Sequence, residues 1–119
     1  MPATLFERLG GTEVIGRIAN DIVDLHQQNP RISVRFIGAD PVVLKKSVAA
    51  FFSMGTGGPA TYQGNDMVAT HKGMNIDNDE FVEVLDDVLK ALRNNAIDQR
   101  EQEEVLFILY SMKADVVAV

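Results

Sequence analysis

The sequence predicts an all-α protein. Apolar residues recur every three or four positions over long stretches, which is typical of amphipathic helices. No segment alternates between polar and apolar residues for long enough to predict a strand. The helical stretches are separated by short breakers: "LGGT" at 9–12, "NP" at 29–30, "GADP" at 38–41 and "GTGGP" at 55–59. We therefore expect four substantial helices, with one irregular, glycine-containing stretch at 55–76.

The first two long helices each have a candidate N-cap. "TEVIGRIANDIVDLHQQ" begins with Thr12 as the candidate cap. Its apolar face consists of Val14, Ile18, Ile22 and Leu25. "PVVLKKSVAAFFSM" follows Asp40, and Pro41 stands in the first turn, where a missing N–H has little cost. Leu44, Val48 and Phe51 form its apolar stripe.

The last two helices each follow an acidic residue in a capping-box pattern. Asp77 with Glu80 precedes "FVEVLDDVLKALRNN", and Asp98 with Glu101 precedes "EVLFILYSMKADVV". In such a box the cap carboxylate accepts the N3 backbone N–H, and the N3 side chain accepts the cap N–H. Both helices are expected to begin immediately after their cap.

Length and charge narrow the class of protein. The 119 residues suit one domain, 1–119, and 46 % of them are apolar, enough for a core. A net charge of −6 disfavours nucleic acid or an anionic membrane as partner. No apolar run approaches the roughly 20 residues that span a bilayer. The opening residues lack the pattern of a signal peptide, and there is no cysteine, so we expect a cytoplasmic protein.

One histidine stands in the irregular stretch, in "MVATHKGMNID" at 67–77. His71 has four possible roles: a surface or capping residue, a metal ligand, a catalytic base, or the single axial ligand of a haem. A zinc site is disfavoured, because the only other histidine is His26 and zinc takes three or four protein ligands. A haem needs only one protein donor, since the porphyrin supplies four nitrogens.

Six motifs resemble one family along the whole chain. They are "LFERLGG" at 5–11, "NPRISVRFIGAD" at 29–40, "AAFFSMGTGGPATYQGNDM" at 49–67, "ATHKGMNI" at 69–76, "FVEVLDDVLKAL" at 81–92 and "KADVV" at 113–117. Together they resemble the truncated (two-over-two) haemoglobins of group I.

The resemblance implies a globin-like, two-over-two helical sandwich around haem b, with a very short first helix and His71 as the proximal iron ligand. Glycines at 55, 57 and 58 are expected to relax the backbone after the distal helix. The negative haem propionates favour a cation nearby, and among Lys45, Lys46, Arg35 and Lys72 we expect Lys46 and Lys72 to fill this role. Further haem contacts are expected from Phe36, Leu44, Val48, Phe51, Tyr62, Met67, Ile76 and Phe81.

The distal side departs from the family pattern. Group I members usually hold oxygen with a tyrosine and a glutamine, and the matching positions here are Val23 and Leu44; a further pocket position, often polar, is Val48. We therefore expect an apolar distal pocket, a five-coordinate ferrous iron and rapid loss of oxygen. His26, one turn after Val23, is expected to be a surface or helix-end histidine.

Three functions remain open at this stage. The first is reversible binding of a diatomic gas (O2, CO or NO). The second is nitric oxide dioxygenation or peroxidase-like catalysis, which needs a reductase partner and a stable oxygen complex. The third is a gas sensor, or a haemless interaction module, that acts through a separate partner. The sequence leaves the oligomeric state undetermined.

Overall fold

The computed structural model describes residues 3–59 and 73–117, and these are helical with short connecting turns. The α-helices are α1 (Leu5–Leu9), α2 (Gly11–Gln28), α3 (Pro41–Gly55), α4 (Asn78–Asn94) and α5 (Gln99–Tyr110). Two short 3-10 helices span Ser33–Phe36 and Lys113–Asp115. The predicted all-α fold is confirmed. Within the described ranges, no helix is both long and apolar enough to cross a membrane.

The first two helices meet at a single glycine. Gly10 has φ 112° and ψ 11°, the left-handed conformation, and it is at once the C-cap of α1 and the N-cap of α2. A side chain there would also collide with Val14. The prediction of Thr12 as the cap of α2 is therefore wrong, because the chain already enters this helix at Gly11. The short first helix is present, and Thr4 caps it.

Two of the predicted acidic caps are formed and one is not. The Asp40 carboxylate accepts the Val42 N–H at 2.9 Å. Asp77 and Glu80 form a complete capping box at the start of α4. Helix α5 begins after Asp98 as predicted, but it has no side-chain cap hydrogen bond. The Glu101 carboxylate, which would have closed the box, accepts a hydrogen bond from the guanidinium of Arg8 at 3.1 Å.

The core is organised around α2. This helix packs against α1, α3 and α4, while α4 also contacts α5. Among the described residues, apolar side chains of α1, α3, α4 and α5 form one cluster with the buried face of α2, which excludes water from the centre. The cluster contains Ile15, Ile18 and Ile22 of α2, Phe52 of α3, Val88, Ala91 and Leu92 of α4, and Val105 of α5, with Leu5 and Leu9 of α1. Helix α5 ends at Tyr110, earlier than the apolar pattern indicated.

The glycines after α3 serve two different purposes. Gly57 has φ 93°, which is the expected backbone relaxation, but Gly55 is simply the last residue of the helix. Gly58 has no positive φ and is required by close packing. A Cβ there would lie 2.5 Å from the Ser53 hydroxyl and closer still to the Phe6 ring. The expected backbone role is therefore met at Gly57 and replaced by a steric one at Gly58.

Candidate functional site

The three expected distal side chains come from two neighbouring helices. Val23 lies on α2 and is fully buried, with 0 % exposure. Leu44 and Val48 lie one turn apart on α3, and both are half-buried. Because α2 and α3 pack against each other, the three hydrocarbon side chains lie on two helices that are in contact.

Phe36 ends the first 3-10 helix and is half-buried. Its ring is stacked on the imidazole of His26, with centroids 5.5 Å apart and planes inclined by 22°. His26 lies in the last turn of α2. The orientation of the expected haem-contacting aromatic ring is thus linked to a polar side chain.

His26 is buried, with 8 % exposure, and is bonded to a carboxylate. Its Nδ1 lies 2.8 Å from Oδ2 of Asp87, which is itself only 2 % exposed. Burial lowers the pKa of His26 below its ordinary 6.5, and the hydrogen bond to Asp87 acts in the opposite direction with the smaller effect. The imidazole is therefore neutral near pH 7, with Nδ1–H donating to Asp87. The expectation of a helix-end position was right, but that of a surface histidine was wrong.

Asn29 completes this buried network. Its side-chain amide donates to Asp87 at 3.2 Å and to Glu83 at 3.2 Å, and its backbone N–H caps the end of α2. Sequence reasoning missed Asp87, although a signal existed. Asp87 stands three residues after Val84 and four before Ala91, on the side of α4 that otherwise carries apolar residues.

Arg35, the residue before Phe36, ties the same turn to α4. Its guanidinium donates two hydrogen bonds to the carboxylate of Glu80, at 2.7 and 2.8 Å, and a third to the Met74 carbonyl at 2.6 Å. This guanidinium holds the pKa of Glu80 below its usual range. Glu80 also belongs to the capping box, so one side chain secures both the helix start and the Phe36 turn.

The remaining residues that were expected to contact the haem or its propionates differ in their burial and in their partners. Lys45 is paired with Asp24 at 2.9 Å, and Lys46 is exposed. Phe81 is buried and contacts the Tyr110 ring edge-on at 6.4 Å. Ile76 is half-buried, and so is Phe51, which packs against the core cluster. Tyr62, Met67, His71 and Lys72 lie outside the described residues.

The described side chains fit a flat apolar cofactor better than a metal ion held by protein ligands alone. Over 3–59 and 73–117, no three His, Cys, Asp or Glu side chains are grouped so as to hold a metal. The expected contacts that are described are mainly hydrocarbon or aromatic, as suits a porphyrin that brings its own four nitrogens. A groove of about 570 Å³ between α1 and α5 is lined by none of the residues expected to contact haem.

Comparison with known proteins gives one consistent result. The family model described as bacterial-like globin matches residues 4–118. A group 1 truncated hemoglobin of Tetrahymena pyriformis is 25 % identical, with 96 % of this chain and 94 % of that protein aligned. One of Mycolicibacterium paratuberculosis is 27 % identical, with 88 % and 77 % aligned.

Solved structures agree in fold. The truncated hemoglobin of Tetrahymena pyriformis in its Fe(III) form matches with a TM-score of 0.93 and 23 % identity, covering 97 % of this chain and 98 % of that one. The 2/2 hemoglobin of Synechococcus sp., solved in the cyanomet state with covalently attached heme, matches with a TM-score of 0.90 and 20 % identity, covering 98 % and 100 %. The predicted resemblance to truncated haemoglobins is thereby confirmed.

Proposed function

The chain belongs to the bacterial-like globin family, and we propose that it reversibly binds a diatomic gas at a haem iron ligated by His71. Haem b is the cofactor that the family indicates, and when bound it supplies the iron that takes up the gas. The observation that carries the proposal is the family match over residues 4–118, which includes the "ATHKGMNI" segment. A neutral imidazole in that segment is a suitable axial donor.

The described residues supply the surroundings for such a cofactor. Phe36, Ile76 and Phe81 offer aromatic and aliphatic surface from the first 3-10 helix, the stretch before α4 and α4 itself. Such surface binds a porphyrin by excluding water from its faces. Lys46 is exposed on α3, and its ammonium is a suitable partner for a propionate at the rim.

The distal side chains define the proposed ligand preference. Val23, Leu44 and Val48 have no polar side-chain atom, so none donates a hydrogen bond to a gas ligand. His26 is a poor substitute donor, because its ring proton lies on Nδ1 and is bonded to Asp87, which leaves Nε2 without a proton to donate. We therefore assign a five-coordinate ferrous iron and weak discrimination in favour of oxygen over carbon monoxide and nitric oxide.

The ligand assignment is tested by titrating haemin into the native chain and into His71→Ala. The native chain is expected to give a Soret band that saturates at one haemin per chain. His71→Ala should lose this band, and free imidazole should restore it by occupying the vacated axial position. An unchanged Soret band and stoichiometry in His71→Ala would show that another residue ligates the iron.

The distal assignment is tested by stopped-flow oxygen dissociation from the reduced protein. Introducing donors with Val23→Tyr and Leu44→Gln should slow oxygen loss by about one to two orders of magnitude, from hydrogen bonds of about 1.5–3 kcal/mol. Val43→Gln is the matched control, because Val43 is 60 % exposed on the same helix. A native chain that already releases oxygen as slowly as the double variant would contradict the apolar pocket.

A further inference from the structure

We infer that His26 is a positioning residue for the haem, because its imidazole, anchored by Asp87, sets the plane of the Phe36 ring. The inference rests on the proposed function, which places Phe36 against the cofactor. His26 acts through Phe36 and needs no contact of its own with the iron or the gas.

The residues that flank Phe36 do little to orient its ring, although Ile32 at the N-cap of the same turn is buried, with 2 % exposure. The neighbours Val34 and Ile37 are 65 % and 81 % exposed, so they contribute almost no burial. Arg35 fixes the backbone of the turn through Glu80 and Met74, but this contact leaves the rotation of the Phe36 side chain undetermined. The stack on His26 supplies a flat surface for the ring.

His26 is itself held in one orientation. A ring stack alone permits sliding and rotation of both partners, whereas the Nδ1 bond to Asp87 at 2.8 Å fixes the second side-chain torsion of the histidine. Asp87 is held in turn by the amide of Asn29. Because Asp87 lies within α4, the orientation of Phe36 follows from the packing of α4 on α2.

This arrangement explains why a polar pair is buried at this point. An aliphatic residue at 26 would fill the volume but would define no plane for the neighbouring ring. Offset-stacked aromatic rings have preferred geometry in addition to the area they bury. The hydrogen-bonded imidazole thus combines the flat face of an aromatic ring with an orientation that a carboxylate sets.

Two double variants separate the ring from the polar pair. His26→Phe with Asp87→Leu keeps a ring against Phe36 and leaves no carboxylate unpaired, whereas His26→Leu with Asp87→Leu removes the ring. The haem methyl proton shifts of the cyanide-bound ferric protein report how the cofactor is seated, and transfer to apomyoglobin reports haemin loss. The ring-retaining variant should lie between the native protein and the ring-removing variant, because it keeps a ring against Phe36 but lacks the bond to Asp87 that fixes the ring at position 26. The ring-removing variant should show altered methyl shifts and lose haemin about two- to tenfold faster.

Equal methyl shifts and equal haemin loss in both double variants would overturn the inference. If the ring-removing variant does not fold, Phe36→Leu in the native chain gives the reciprocal test. The His26 ring proton signals should then change their chemical shift, because the ring current of the stacked phenylalanine is lost. Unchanged shifts would contradict the stacking of the two rings.

The failure of the proposed function gives a different result. A native chain that takes up no haemin would contradict haem binding, while the Phe36 ring signals of the haem-free chain still test the stack. With selectively labelled phenylalanine, the Phe36 signals should be displaced from their native positions further in the ring-removing variant than in the ring-retaining one. Identical signals in all three would refute the positioning by His26.

Discussion

Removal of the buried Asp87 carboxylate should lower the free energy of unfolding far more than removal of an exposed carboxylate does. In Asp87→Ala the buried His26 N–H loses its acceptor, and the Asn29 amide keeps only Glu83. A hydrogen bond to a charged group is worth about 1.5–3 kcal/mol, and an unpaired buried donor adds its desolvation cost. Breaking a fully charged buried pair costs about 3–5 kcal/mol, but His26 is neutral here, which reduces the loss. We therefore expect the free energy of unfolding to fall by about 2–4 kcal/mol.

The neighbouring residue provides a matched control. Asp86 is also in α4 but is exposed, and it makes an i,i+4 pair with Lys90 at 3.3 Å. Asp86→Ala changes the same side chain to the same replacement in the same helix, so the helix-propensity term is common to both variants. Because exposed pairs contribute little, the expected loss is below about 1 kcal/mol.

The assay is urea unfolding near pH 7.5, followed by far-ultraviolet circular dichroism on the haem-free chain. Omission of haem prevents a difference in haem affinity from appearing as a difference in stability. Asp87→Asn is expected to lie between the two alanine variants, since the amide oxygen still accepts from His26 but carries no charge. If Asp87→Ala costs no more than Asp86→Ala, the buried network contributes nothing to stability and does not hold His26 in position.

Three further predictions concern stability. Because burial lowers the pKa of His26, the unfolded chain takes up a proton that the folded chain resists. Stability should therefore fall as the pH drops below 6.5, by at most about 1.4 kcal/mol per pH unit. The unfolding free energies of the native chain and of His26→Phe with Asp87→Leu between pH 8 and 5 isolate this contribution, and identical pH profiles would contradict it. Gly58→Ala should lower the free energy of unfolding by about 1–3 kcal/mol, because the added Cβ would overlap the ring of Phe6. A thermal unfolding midpoint equal to that of the native chain would show that the ring moves aside freely. Asp77→Ala should lower the free energy of urea unfolding by about 1 kcal/mol, because the helix cap is lost. Asp98→Ala should lower it much less, because the Asp98 side chain makes no cap hydrogen bond. Equal losses would refute the assignment of the two caps.

The sequence alone determined the features that depend on residues a few positions apart along the chain. The caps at Asp40 and Asp77 were predictable, because each carboxylate acts on a backbone N–H two or three positions ahead. The long helices were predictable from the spacing of their apolar faces, and the family from motifs distributed over the whole chain. The hydrocarbon character of Val23, Leu44 and Val48 was likewise readable from the sequence, and their effect on gas binding stays a prediction.

Only the tertiary structure decided which polar groups pair across the fold. Glu101 was predicted to complete a cap three residues away, but it binds Arg8, 93 positions earlier, because a guanidinium that folding brings close competes with the local N–H. His26 was expected to be a surface or helix-end histidine, but folding buries its side chain and places it 2.8 Å from Asp87, 61 positions later. Local backbone hydrogen bonds follow from sequence separation, whereas a buried polar pair depends on how two amphipathic helices pack. That packing brought together His26, Asp87 and Phe36, and so made a polar contact in the core a candidate determinant of how the cofactor is held.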